Sequence, residues 1–191
     1  VNVYDLILKR RTIRRFKQQQ IDAALLKKIV NAGRLAPSGA NLQPLEFVVI
    51  NNPELVELVF PKVKWAGYIA PAGDPPEGAR PVAYILILIN TAIKPKHGEV
   101  DAAAAIENMI LTALDDGIGS CWMGAIDREQ LRVMLNIPPK YDIDSVLALG
   151  YPDESPVIED MENSIRYWKD ETGVLHVPKR KLEDIIHYNR F

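Results

Sequence analysis

Arg10-Arg11-Thr12-Ile13-Arg14-Arg15-Phe16, followed by Ala36-Pro37-Ser38-Gly39-Ala40-Asn41-Leu42-Gln43-Pro44, is the part of the sequence on which its reading turns. If the first stretch is extended, its side chains alternate, with Arg10, Thr12 and Arg14 on one face and Arg11, Ile13 and Arg15 on the other. Two guanidinium forks with a hydroxyl between them suit a phosphate, which takes several planar, charge-assisted donors. With Lys9 and Lys17 the same cluster also reads as a solvated basic patch or a nucleic-acid contact. In the second stretch Ser38, Asn41 and Gln43 supply hydroxyl and amide groups, and Gly39 permits a close backbone approach. Such a loop can hydrogen-bond the edge of a heterocycle, and it can equally be an ordinary helix-to-strand connection.

Working outward, residues 3–9 place Val3, Leu6 and Ile7 at helical spacing. A helix is predicted from the N-cap Asp22, with Leu25, Ile29, Ala32 and Leu35 on one face. Residues 45–50 read as a strand and 54–60 as a short helix. Residues 61–81, with Gly67, Gly73, Gly78 and several prolines, read as an irregular excursion and a candidate active-site lid. The continuous apolar run 82–89 predicts a strand buried on both faces. A helix over 99–116 carries Ile106, Met109, Ile110, Ala113 and Leu114 and is capped by Gly117. A strand at 119–123, a helix opened by an Asp127–Gln130 capping box and a strand at 145–150 follow. From Tyr151 the chain is polar and proline-punctuated, ending in the helical pattern of 182–188. No repeat or linker divides it. This order gives an α+β fold, one domain over residues 1–191 with a central mixed sheet. A tail over 151–191 without a core of its own is expected to lie on another surface, such as a partner subunit.

At 191 residues, 48% hydrophobic and 25% charged, the chain suits one soluble domain. A net charge of −2 argues against a surface that attracts nucleic acid or anionic membrane as a whole. Cys121, the sole cysteine, excludes an internal disulfide and points to a reducing compartment. The run 82–89 is too short for a membrane span, and Asp5 and the arginines stand where a signal core would be. A cytoplasmic protein is the expectation. His97, His176 and His187 are too scattered for a metal site. Gly117-Ile118-Gly119-Ser120-Cys121-Trp122-Met123-Gly124 suggests exposed backbone amides facing a flat ligand, beside the plainer reading of a helix cap and a buried strand. Cys121, with no nearby His in sequence, reads as a packed thiol. Pro178-Lys179-Arg180-Lys181 reads as a solvated basic turn.

In combination and order, these stretches, with Gly150-Tyr151-Pro152, resemble the FMN-dependent nitroreductase family from about residue 3 to the C-terminus. The resemblance implies a nitroreductase-like fold, with a mainly antiparallel sheet flanked by helices and a homodimer carrying FMN at the subunit interface. It matches Arg10, Arg11, Thr12 and Arg14 to flavin-binding positions, assigns the phosphate and ribityl side to Arg10 and Thr12, and sets Arg14 at the pyrimidine edge. There a fixed cation stabilises the charge that builds up on reduction. It implies that Pro37, Ser38, Gly39 and Asn41 reach the partner's flavin, that the Met123–Gly124 backbone points at flavin N5, and that Arg180 and Lys181 close on the phosphate. The implied reaction is ping-pong transfer of hydride from NAD(P)H to a nitroaromatic, quinone or similar small acceptor. The same motifs are shared with reductive dehalogenation, ene reduction, flavin fragmentation and non-catalytic flavin binding. One departure stands out. The family's middle-segment Asn and Lys have no clear match in the excursion, where Lys62, Lys64 and Arg80 are the candidates. Trp65, Tyr68, Tyr167 and Trp168 mark the expected substrate pocket.

Overall fold

The apolar run becomes β3 (Ala83–Asn90), buried at every position. A strand can be apolar on both faces only where both are covered, and here helices lie on each side. In the computed structural model, which describes residues 2–191, β3 sits between β2 (Leu45–Ile50) and β5 (Tyr141–Pro152), antiparallel to both. Val1, the first residue of the single-domain reading, lies outside the described residues. β5 also pairs with β1 (Phe16–Lys17) and β4 (Gly119–Met123), completing a five-stranded sheet whose pairings are all antiparallel.

Alternation along the strands divides the core in two. Ile85, Ile87, Leu147 and Leu149 face α2 (Ala23–Arg34) and α4 (Gly98–Asp115), meeting Ile29, Ile106 and Met109. Tyr84, Leu86, Val146 and Ala148 face α3 (Pro53–Val59) and α5 (Arg128–Met134), meeting Val56, Val59, Trp65 and Leu131. α1 (Val3–Lys9) lies against α4. The caps are those the sequence predicts: Asp22 accepts from the Ala24 amide and Asp127 from the Gln130 amide. Among the described residues, no helix is long and apolar enough to cross a membrane.

The excursion at 61–81 contains only short 3₁₀ turns and a single bridge, Val63 to Ile126. The tail departs from expectation in two ways. First, β6 (Val157–Asp160), β7 (Trp168–Lys169) and β8 (Leu175–Lys179) form a small sheet of order β6-β8-β7, and β6 runs parallel to β8. Second, the pattern at 182–188 yields only a 3₁₀ turn, Leu182–Asp184. A helix this short needs a packing surface, and this stretch is exposed throughout.

The small sheet is held by polar contacts more than by a core. His176 on β8 stacks on Trp168 at 4.3 Å, with Nδ1 3.0 Å from Glu159 and Nε2 3.3 Å from Asp170. The hydrogen bond from Trp168 holds the Glu159 carboxyl below its usual range, and Thr172 is the main cause of the Asp170 value of about 2. Glu159, then Asp170, raises the imidazole above its usual value. The sign follows by linkage. The histidine's contribution is complete below its unfolded pKa and is lost as pH rises through the higher folded one. The carboxylates contribute above their unfolded values and lose this as pH falls through the lower folded ones. The tail sheet is therefore expected to loosen as pH climbs above about 6.5. Proteolytic cutting within 157–179 should rise across that range, and His176→Gln should abolish the step.

Candidate active site

The arginine-rich opening is laid across the end of the sheet. Thr12 bridges Ser120 in parallel, and the Ile13 amide donates to the Ser120 carbonyl at 2.9 Å. Three residues on, Phe16 pairs with Pro152 on β5 and donates to the Ala79 carbonyl at 3.0 Å. The chain thus passes from β4 to the end of β5 between residues 13 and 16. Gly119 and Gly150 make this passage possible. They are cross-strand partners, and Ile13 and Phe16 lie over them, both buried. A Cβ on Gly119 would stand 2.8 Å from Ile13 Cγ1, and one on Gly150 2.7 Å from Phe16 Cδ1.

The four arginines then take four directions, which corrects the simple two-faced alternation. The turn at Arg10 ends a helix rather than starting a strand, so its neighbour points back. Arg11 donates to the carbonyls of Arg10 and Leu8, the latter at 2.6 Å. Arg10 reaches Glu107 on α4 at 3.9 Å. Arg14 lies over the Tyr167 ring at 5.1 Å, and its buried Nε has no partner among the described residues. Arg15 reaches Glu154 at 3.9 Å. Lys9, Arg10, Arg11, Ser120 and Glu154 line one cleft of about 250 Å³, floored by Ile13, Ile110 and Ile118.

Farther along β4, Cys121 is buried, and burial pushes its thiol up to about 11, partly offset by the Arg14 cation. It is a packed thiol and no nucleophile at neutral pH. Met123 is buried, whereas Gly124 is exposed with open space where a Cβ would be. The backbone there is reachable by a flat ligand.

The Pro37–Asn41 loop is moored elsewhere. The Gly39 amide donates to Asp101 on α4 at 3.1 Å, and Asp101 is paired with Lys94 at 2.7 Å. Ser38 Oγ accepts from the Gln43 amide, while Ala40 and Asn41 take positive φ values of 53° and 55°. Pro37 and Ser38 border a separate depression of about 160 Å³ with Arg34, Phe47 and Asp101. Arg180 and Lys181 lie exposed on the tail, Arg180 donating to the Asp184 carbonyl at 3.0 Å. One chain therefore joins the first and third motifs, while the second and fourth line neither wall of the arginine cleft.

The middle-segment candidates are occupied away from the cleft. Lys62 bonds Gln130, Arg80 pairs with Glu57 over the Phe60 ring, and Lys64 is exposed. Of the four pocket aromatics, Trp65 is buried against Phe60 and Trp168 belongs to the tail clasp. Tyr68 and Tyr167 do meet, at 4.9 Å beside Arg14. Sequence reasoning passed over Glu154 and the buried Lys94–Asp101 pair. The proximity of Glu154 to Gly150-Tyr151-Pro152 was the available signal for the first.

Residues 7–151 match the model of the Nitroreductase family. A protein of Archaeoglobus fulgidus, provisionally named NADH dehydrogenase/NAD(P)H nitroreductase, is 32% identical over 154 residues, covering 77% of this chain and 83% of its own. An NADPH-dependent oxidoreductase of Staphylococcus aureus is 22% identical over 209 residues, covering 100% of this chain and 74% of its own. Among solved structures, an FMN-dependent nitroreductase from Clostridium difficile superposes with a TM-score of 0.70 at 24% identity, covering 97% of this chain and 98% of that one. A provisionally named nitroreductase from Desulfovibrio desulfuricans, in complex with FMN, gives 0.73 at 22% identity, covering 100% and 98%. These two likenesses establish the fold.

Proposed function

The chain belongs to the nitroreductase family, a family of oxidoreductases, and from that premise we propose that it binds FMN and works as an NAD(P)H-dependent flavin oxidoreductase in a homodimer. The observation that carries this reading is the apposition of the arginine opening and β4, through the Thr12–Ser120 bridge. Cations at one end, a buried Arg14 Nε without a partner among the described residues and an open backbone at Gly124 together match a phosphate and a flat, polar-edged ring.

When bound, FMN would supply the redox chemistry for ping-pong hydride transfer from NAD(P)H to a nitroaromatic, quinone or similar acceptor. Arg10 and Thr12 would hold the phosphate and ribityl side, with Arg11, tied back to the Arg10 and Leu8 carbonyls, adding its charge to the cleft wall. Arg14 would set a fixed positive charge at the pyrimidine edge, and its buried Nε, without a partner among the described residues, is a donor that a ring acceptor would satisfy. The Met123–Gly124 backbone would face N5. Pro37, Ser38, Gly39 and Asn41 of a second copy complete the ring pocket, and Arg180 and Lys181 close on the phosphate. Exposed Leu182, Ile185, Ile186, Tyr188 and Phe191 give the tail an apolar side suited to a partner surface.

The visible spectrum of the purified protein, followed by anaerobic NADH or NADPH, tests this. Oxidised-flavin bands that bleach are the expected result. A yellow protein that resists both donors would move the reading to another reductant or to flavin binding without turnover. A colourless protein that FMN cannot reconstitute would overturn it.

A further inference from the structure

Residues 14 and 15 lie in the passage between β4 and β5, where neither strand offers their amides a carbonyl. Ile13 is served by Ser120 and Phe16 by Ala79, and the Arg15 carbonyl accepts from Asp153 at 2.9 Å. The two amides between are served by a side chain. Glu154 Oε1 accepts from the Arg14 amide at 2.5 Å and from the Arg15 amide at 3.2 Å, while Oε2 faces the Arg15 guanidinium at 3.9 Å. Its side chain is 13% exposed. A buried charge persists only where donors converge on it, and here two amides and a guanidinium do.

Glu154 also lines the cleft with Lys9, Arg10 and Arg11. It is thus an anion inside a site whose other charges are positive, and it grips the backbone from which Arg14 projects. A pin alone needs only an acceptor, and a neutral amide carbonyl would serve. The negative charge adds something that a glutamine would lack.

Resting on the flavin reading above, we propose that Glu154 is a positioning residue for the cofactor site, with two separable effects. Its acceptor oxygen fixes the Arg14–Arg15 passage and so aims Arg14 at the flavin ring. Its charge lowers the positive potential of the cleft, weakening the hold on the phosphate and on the reduced, anionic ring. The cleft is cationic enough to bind and not so cationic that the reduced cofactor is stabilised beyond easy reoxidation.

Glu154→Gln and Glu154→Ala separate the two effects. Glu154→Gln keeps the pin and removes the charge. FMN should bind more tightly, and reduced flavin should be favoured over oxidised by about tenfold, about 30 mV in midpoint potential for a two-electron couple. Glu154→Ala removes both, so FMN affinity should fall and amide exchange at Arg14 and Arg15 should quicken in the flavin-free protein, where Glu154→Gln leaves it slow. A native protein that binds FMN while Glu154→Gln leaves potential and affinity unchanged would overturn this inference alone. A native protein that fails to bind FMN would overturn the functional reading, and this inference with it. Loss of thermal stability in both variants, with potential and affinity at native values, would reduce Glu154 to a purely structural role and also overturn it.

Discussion

Gly150→Val is expected to lower stability by about 1–3 kcal/mol and to strip the protein of FMN. Two effects compete at this position. Valine favours an extended strand, and in most sheets the replacement of glycine would help. Here the new Cβ would lie 2.7 Å from Phe16 Cδ1 and 2.8 Å from Phe16 Cβ. Phe16 has no exposure and is among the largest fully buried side chains, so it cannot swing aside. The contact wins. β1 must lift from β5, carrying the Arg14–Arg15 passage with it. At roughly 2–4 °C per kcal/mol for a chain of this size, the melting temperature should drop measurably. Gly119→Val repeats the experiment from the other strand, against Ile13 at 2.8 Å. Gly124→Ala is the contrast: nothing lies within 4 Å of its Cβ, so stability should hold while FMN content falls, because the methyl enters the proposed ring site. An unchanged melting temperature in Gly150→Val would contradict the packing argument.

That glycine pair shows why the fold was easier to read than the site. β3, β4, α2 and α4 announce themselves through local pattern: an unbroken apolar run, a cap, a helical stripe. Each pattern is imposed by the core it faces, and the core is built from this chain alone. Arg10 and Gly119 are far apart in sequence, and only the closed sheet puts the opening over β4. The alternation expected of the arginines failed because Arg10 caps α1, so Arg11 folds back on that helix. Lys62 and Arg80 looked available in a proline-rich segment, yet each finds a local partner across α3 and α5. Glu154 and Asp101 were invisible for the opposite reason. A lone acidic residue carries no periodic signal, and its role emerges only when its partners are seen. The tail was misread where short segments decide structure. β7 is two residues long, and side-chain bonds at His176 carry what pattern could not predict.

Asp101→Ala should cost the most, because it breaks a buried ion pair. Asp101 is 4% exposed and Lys94 14%, and their heads are 2.7 Å apart. Removing the acid leaves an uncompensated lysine, at a cost of about 3–5 kcal/mol. Part of the exposed end of Lys94 can hydrate, so the lower figure is the better expectation. The Gly39 amide also loses its acceptor, and the Pro37–Asn41 loop is released from α4. Asp101→Asn keeps an acceptor for Gly39 and forfeits only the charge, so it should stand between native and alanine in melting temperature. The consequence for FMN distinguishes two arrangements. Arg10 is tethered to Glu107, six residues along α4 from Asp101, about 9 Å by helix rise, yet loop and cleft share no wall in one chain. If each loop serves the partner's cleft, Asp101→Ala in one subunit and Arg10→Ala in the other damage the same site. The other site, made of a native cleft and a native loop, should keep one FMN per dimer. If each loop serves its own cleft, both sites are damaged and the mixed dimer should hold almost none. Differently tagged subunits, co-expressed and purified through both tags, allow bound FMN per dimer to be counted by absorbance. One flavin per mixed dimer supports sharing across the interface, and none would place the loop and the arginines in the service of a single chain.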